Sequence, residues 1–590
     1  MHFRDTLIWL VCSVVGVGLL AVAGTQLDYI NSQRQEMELI SNEPLENAPP
    51  SLAFATVAMG AFRGLVVDIL WMRADKLKEE GQFFDARQLA EWITKLQPRF
   101  GAVWVFHAWN MSYNISVAIP ASQPDQRWRW VKNGYELLRD KGIPLNPKVI
   151  QLYHELARIF QHKIGAVSDD AHKYYKLQLA MAMEPLLGSA DNEYFEALVK
   201  APIEWAQIAG DPNVTPLIAA LRSADESFAA DDEFVNTYLS LRQNPKRFKP
   251  AAFETIDDFR GTPALQKFDL FAKAYRLRNT WKLDPALMQE INKIYGPVDF
   301  TDPNKHFPMD WRHPDAHAIY WAVKALREAA KKPGREIDMH ETNTDRIVGH
   351  SLQNLFRNGT ILIYDAPIEV PTKDGSGTQR IVQKNVFLRP DLRFFEPYNR
   401  TQLAIIEKHK DDEGRRGSLQ NGHRNMLINA LLSFYQAGHR RRAAQIYQQL
   451  RQLYPLEEFK VSLVEFARNR LFEELETIGI NDAKEQIVML LREGYYLYGI
   501  RSDNEAAGRE AFAEQIHDYY RNKYSDANRI DLPEMRWLRY VALMDFLNDQ
   551  RYPPHLRNSL LARIRIERPE LYKQLEQQEQ QLRSQSERTG

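Results

Sequence analysis

Residues 63–110 read RGLVVDILWMRADKLKEEGQFFDARQLAEWITKLQPRFGAVWVFHAWN, a pattern that demands short antiparallel helices. One helix is expected to run to about Glu80, with a break at Gly81. A second runs from Asp85 to Leu96, and a third begins near Ala102. Pro98 closes the second helix, because proline lacks an amide hydrogen and clashes with the preceding turn. Ala74 and Ala86 are small enough for two antiparallel helices to cross closely, and Ala90 and Ile93 continue the inner face. Arg63 and Asp68 are five apart, so they are expected to bond to neighbouring helices and not as a pair on one face.

A second unit of the same shape occupies residues 424–455. MLINALLSFYQAG makes one helix, ended by Gly438, and RRAAQIYQQLRQLYP makes the next, ended by Pro455. Ala430 and Ala443 are the close-packing positions there, with Phe434, Tyr447 and Leu450 filling the interface. Prolines at 147 and 185 punctuate the chain in the same way at irregular spacing. Only residues 360–398 carry strand signals: ILIYDAPIEVP and RIVQKNVFLRP flank the turn sequence KDGSG.

Small residues, aromatics and a closing proline in this order resemble a tetratricopeptide repeat. The order of an apolar N-terminal run, then Asp68, Leu70 and Trp71, then Ile93, Thr94, Leu96, Pro98, Arg99 and Phe100, is similar to membrane-anchored, repeat-containing bacterial proteins. The resemblance implies a mostly all-α, right-handed solenoid of helix pairs that binds protein or peptide on a concave face. It implies no chemistry.

The run from Leu7 to Ala23, LIWLVCSVVGVGLLAVA, is uncharged and covers most of a ~30 Å hydrocarbon layer. It is expected to be a single-pass inner-membrane anchor with the bulk of the chain periplasmic, in line with His2 and Arg4 on its near side. Ala21 to Ala23 before Gly24 also fit a cleaved signal. The run from Ser51 to Met72 would be a second pass only if Arg63 and Asp68 were tolerated at membrane depth. The remaining division is expected as follows: a tether over 26–50, a helical-repeat domain over 51–190, and an irregular helical insertion over 191–310. A helical segment over 311–359, a β-hairpin insertion over 360–400, a second repeat domain over 401–570 and a disordered tail over 571–590 complete it.

Composition narrows the function. Cys12 is the single cysteine, so no internal disulfide or cysteine metal site exists. A formal net charge of -1 gives no steering toward nucleic acid, and no phosphate-binding glycine loop is present. His313 and His317 stand four apart, with His306, Asp310 and Asp315 nearby, but Pro314 starts a helix between them and would spoil shared ligation. Glu79, Glu80 and Asp85 sit beside a turn, where solvated acids are common. KHKDDEGRRG at 408–417 is a loop of mixed sign, and Arg440 to Arg442 are an isolated basic triplet. No catalytic, cofactor or metal residue is assigned.

The expected function is therefore a non-enzymatic, membrane-tethered scaffold or complex subunit. The alternative is an envelope enzyme with a helical-toroid active site acting on glycans. Candidate partner-binding residues are Arg99, Phe100, Trp104 and Trp109, because aromatics and arginines dominate binding hot spots. Trp104 and Trp109 are five apart and cannot share one helix face.

Overall fold

The computed structural model describes residues 14–16, 18, 29, 63–241, 245–300, 302, 304–331, 339–371, 378–476, 480–523, 532–549 and 552–589. The chain divides into two compact units: Met1–Ala118 with Trp130–Leu152, and Ile119–Arg129 with Tyr153–Gly590.

In the first unit, α1 (Arg63–Glu79) and α2 (Phe83–Leu96) form a helix hairpin, followed by α3 (Gly101–Trp109). The turn between α1 and α2 needs glycine, since Gly81 has φ 77°. Gln82 N–H donates to the Leu77 carbonyl at 2.8 Å and Gly81 N–H to that of Lys78 at 3.1 Å, so the orphan carbonyls of the helix end are satisfied. Ala74, Ala86, Ala90 and Ile93 have no exposed surface at this crossing. The carbonyl of Pro98 accepts from Trp104 Nε1 at 2.8 Å and from Asn146 Nδ2 at 2.9 Å. After α3 the chain continues as a π-helical turn, Asn110–Ile115, and buried Asn110 donates to the Phe83 carbonyl at 2.9 Å. Gly134 lies against this turn, where a Cβ would fall on Ser112 Oγ.

Among the described residues the second unit is mainly helical, with one two-stranded hairpin. Among its helices are α4 (His172–Leu187), α5 (Pro263–Arg276), α6 (Pro314–Ala330) and α7 (Met339–Asn358). The hairpin follows, β1 (Thr360–Pro371) pairing antiparallel with β2 (Thr378–Arg389) in the register Ile361↔Leu388 and Ile363↔Val386. Then come α8 (Phe395–Lys408), α9 (Glu413–Gln436), α10 (Arg440–Leu453), α11 (Ile480–Gly499), α12 (Asp503–Lys523), α13 (Met535–Asn548), α14 (Pro554–Glu567) and α15 (Pro569–Thr589). The α9–α10 turn repeats the first-unit device: Gly438 has φ 81°, and His439 N–H donates to the Phe434 carbonyl at 2.9 Å. Ala430 and Ala443 are buried at the crossing, with Phe434, Tyr447 and Leu450 around them. Pro455 follows the C-terminal end of α10.

Period-two alternation seats the hairpin. Ile361 and Val386 are buried against Leu177 and Ala180 of α4, while Leu362 turns to the C-terminal core of Tyr495, Leu538 and Phe546. Burying an Ile or Val side chain contributes roughly 1.5–3 kcal/mol, enough to fix the register of a hairpin that would be marginal alone.

Four expectations are corrected. Among the described residues no helix is long and apolar enough to cross a membrane, so the single-pass anchor, the inner-membrane tether and the periplasmic placement built on it are not supported. Of the run from Leu7 to Ala23, only Val14, Val15, Gly16 and Gly18 belong to the described residues; of the run from Ser51 to Met72, residues 51–62 lie outside them. The described remainder, α1, carries Arg63, Asp68, Arg73, Asp75, Lys76 and Lys78, too many charges for a hydrocarbon layer. Second, a regular solenoid does not form. Its repeats would touch only their neighbours, whereas α4 packs on both α5 and β2, and α11 packs on α12, α13 and α14. Third, Pro185 lies inside α4, which ends instead at Gly188 with φ 53°. Fourth, the tail expected to be disordered is helical over Pro569–Thr589, where Glu and Gln favour helix and Leu575 is buried.

Candidate functional site

A cavity of about 490 Å³ opens in the second unit where the base of the hairpin meets α11 and the start of α14. Leu362, Ile363 and Leu388 come from the strands, Met489, Tyr496 and Ile500 from α11 and its end, and Tyr552 and Leu556 from the approach to α14. Successive strand residues point to opposite faces, yet Leu362 and Ile363 both line the cavity, as do Leu388 and Arg389. The groove therefore crosses the open end of the sheet. Tyr496 and Tyr552 pack at 5.5 Å between ring centroids, and Phe546 supports Tyr552 at 4.4 Å. Met489 is 53% exposed at the mouth, an apolar side chain in contact with water.

Charges rim this apolar floor. The Arg389 guanidinium stands 4.6 Å over the Tyr496 ring, donates to Tyr496 Oη at 3.4 Å, and lies 3.9 Å from a Glu505 oxygen. Arg492 reaches Asp549 at 3.9 Å. At Arg389, Pro390 and Glu493 a smaller chamber of about 120 Å³ adjoins this one, and its lining adds Arg357, Glu505 and Arg509. Arg509 Nε is 3.1 Å from Glu493 and Nη1 donates to Gln436 at 3.3 Å. Burial works to raise the Glu505 carboxyl, but His439, Arg389 and Arg509 outweigh it and hold the group below its usual range.

The backbone fixes these charges through one close approach. At Gly508 of α12 a Cβ would fall on the Gln436 carbonyl oxygen and 2.6 Å from Gly438 N, so α12 rests directly on the α9–α10 turn. Only glycine permits that contact, and it sets Glu505 and Arg509 on either side of it.

The partner-binding residues expected from the sequence lie in the first unit. Trp104 is 4% exposed and its indole N–H is engaged by Pro98, so it offers little surface to a partner. Phe100 is half-buried against Trp71 at 5.6 Å, Trp109 stacks on Tyr113 at 6.2 Å, and Arg99 is exposed. These four do not converge on one apolar cleft. Asp68 is exposed, contrary to its expected buried role, and Arg63 begins α1. Leu65, Ile69 and Met72, spaced four and three apart on α1, are also exposed.

Other sequence clusters are used internally. His313 caps α6 by accepting from Asp315 N–H at 3.1 Å, while His317 stacks on Phe160 at 4.9 Å. The two rings thus serve different neighbours, and among the described residues no group of three His, Cys, Asp or Glu side chains is placed to hold a metal ion. Lys408 pairs with Glu341 and Asp345, each at 2.8 Å. Arg440 lies over the Tyr435 ring and Arg442 pairs with Glu396.

No family model matches the chain, and no curated protein matches it. The resemblance to tetratricopeptide proteins and to membrane-anchored bacterial repeat proteins is accordingly corrected: two helix hairpins share that punctuation, but the rest of the chain does not repeat it.

Proposed function

We propose that this protein is a non-enzymatic scaffold that binds a peptide segment of a partner protein in the groove at the base of the hairpin. The observation that carries this reading is the apolar cavity of about 490 Å³ with an exposed methionine at its mouth and a charged rim. Its size falls within the roughly 300–1,000 Å³ typical of ligand sites, and an apolar floor with a few polar groups is how such sites combine affinity with orientation. Packing between helices and a short sheet gives it rigid walls, which lowers the ordering cost of binding. Arginines and tyrosines beside one another are also the residue types that concentrate binding energy.

The test is selection of peptides from a displayed random library on the purified full-length protein, with Met489→Asp as the counter-selection. A charge at position 489 should abolish enrichment without lowering the melting temperature, because Met489 is already half in water. Equal enrichment on both proteins would refute the groove as the binding site.

A further inference from the structure

Resting on the peptide-binding reading above, we infer that the occupant is an acidic segment. An apolar side chain fills the larger chamber, and a nearby carboxylate meets the arginines where the two chambers join. Three observations carry this.

The first is the division of the groove. The larger chamber is walled mainly by Leu362, Tyr496, Tyr552 and Leu556, with Arg492 and His555 at its margin, whereas Arg357, Glu505 and Arg509 are added around the smaller one. Arg389, Pro390 and Glu493 line both, so a ligand seated in the larger chamber brings its neighbouring side chains up to these groups. At about 120 Å³ the smaller chamber has room for a single carboxylate side chain.

The second is the charge balance. Arg357, Arg389, Arg492 and Arg509 line the two chambers against Glu493 and Glu505, and Asp549 faces Arg492, which leaves four arginines against three carboxylates. Glu505 is already answered by Arg389, Arg509 and His439, which hold it ionised against burial. Glu493 is answered by Arg509 at 3.1 Å. The surplus is positive.

The third is the looseness of the ion pairs that face the opening. Arg389 and Arg492 approach their carboxylate partners only to 3.9 Å. A guanidinium has five N–H donors in a fork that matches a carboxylate, so both keep donors for an incoming one. Arg389 is also held in place over Tyr496, which pre-pays part of the cost of ordering it. A basic segment would meet four arginines, and a neutral one would leave the surplus unanswered.

Fluorescence anisotropy with short labelled peptides tests the inference on the full chain. One probe carries a Trp followed closely by Glu and Asp, the second replaces the acids by Gln and Asn, and the third replaces the Trp by Ser. The acidic probe should bind about tenfold more tightly than the amide probe, as expected for one charge-assisted contact. That advantage should shrink in Arg389→Gln, and also in the more open Arg492→Gln, where loss of fold is a lesser risk. It should also fall with added salt. Equal affinity for the acidic and amide probes, with the Ser probe weaker, would overturn the acidic assignment while leaving peptide binding intact. Binding of none of the three would count against the peptide reading itself. Tighter binding to anionic vesicles than to the acidic probe would overturn the inference in favour of a lipid ligand.

Discussion

Replacing Asp315 with asparagine should stabilise the second unit near and above neutral pH and do little in acid. Asp315 lies near the start of α6 with no exposed surface. Its Oδ1 accepts from Asn354 at 3.1 Å, and Oδ2 stands 3.5 Å from His313 Nδ1 without a hydrogen-bond partner among the described residues. His313 offers no compensating charge, because burial drives its ring down to about 4. Burial pushes the Asp315 carboxyl from 3.8 up to about 7, although Asn354, Ser351 and Lys176 oppose it. The folded form therefore binds the proton more tightly than the unfolded chain. Stability from this group is present below about pH 4 and is lost as pH rises toward 7. Three units correspond to about 4 kcal/mol at 1.36 kcal/mol each. Asparagine keeps a partner for Asn354 and removes the ionisation, but it also withdraws a favourable charge from Lys176, which burial already lowers to about 8. A net gain of about 2–3 kcal/mol near pH 8 is expected. Hydrogen exchange of the α6 and α7 amides reads this locally, which a chain of two units requires. Protection in the variant relative to the natural protein should grow between about pH 4 and 8. A difference that stays flat with pH would show that Asp315 does not titrate above its usual range in the folded protein.

Three further outcomes follow from the packing. Gly508→Ala should lower the melting temperature, at a cost of about 1–3 kcal/mol, and weaken peptide capture together with it, since the new Cβ separates α12 from the α9–α10 turn; unchanged melting would show that the contact relaxes freely. Ala443→Trp should destabilise the α9–α10 hairpin by a similar amount, because Ala443 has no exposed surface, and a melting curve like that of the natural protein would contradict its place at the crossing. Acid should destabilise the protein through His107, His154 and His423, whose rings burial lowers to about 4; the unfolded chain binds protons first, so stability falls as pH drops from about 6.5 to 4, and replacing His107 by Gln should reduce that slope in urea titrations.

Helix punctuation was legible where one residue dictates local geometry. Gly81 and Gly438 sit at positive φ because the hairpin turns demand it, and small residues mark where backbones approach. The strands around KDGSG were legible from β-branched, apolar runs on either side of a turn sequence. Pro185 misled because its helix continues to Leu187, past a residue that lacks one donor. Spacing separated the faces of α3 but could not say which one would be covered; the carbonyl left outward by Pro98 draws Trp104 in. The groove was illegible for a different reason. Leu362, Leu388, Met489 and Tyr552 come from four separated segments, and no local pattern says that a strand base will face a helix more than a hundred residues on.

The most direct test of the peptide-binding account is hydrogen exchange of the full chain with and without the tightest selected peptide. The account predicts slowed exchange in residues 489–500 and at the base of the hairpin, with the exposed face of α1 unaffected. Protection confined to the first unit, around Arg99 and Trp109, with none at the groove, would contradict it.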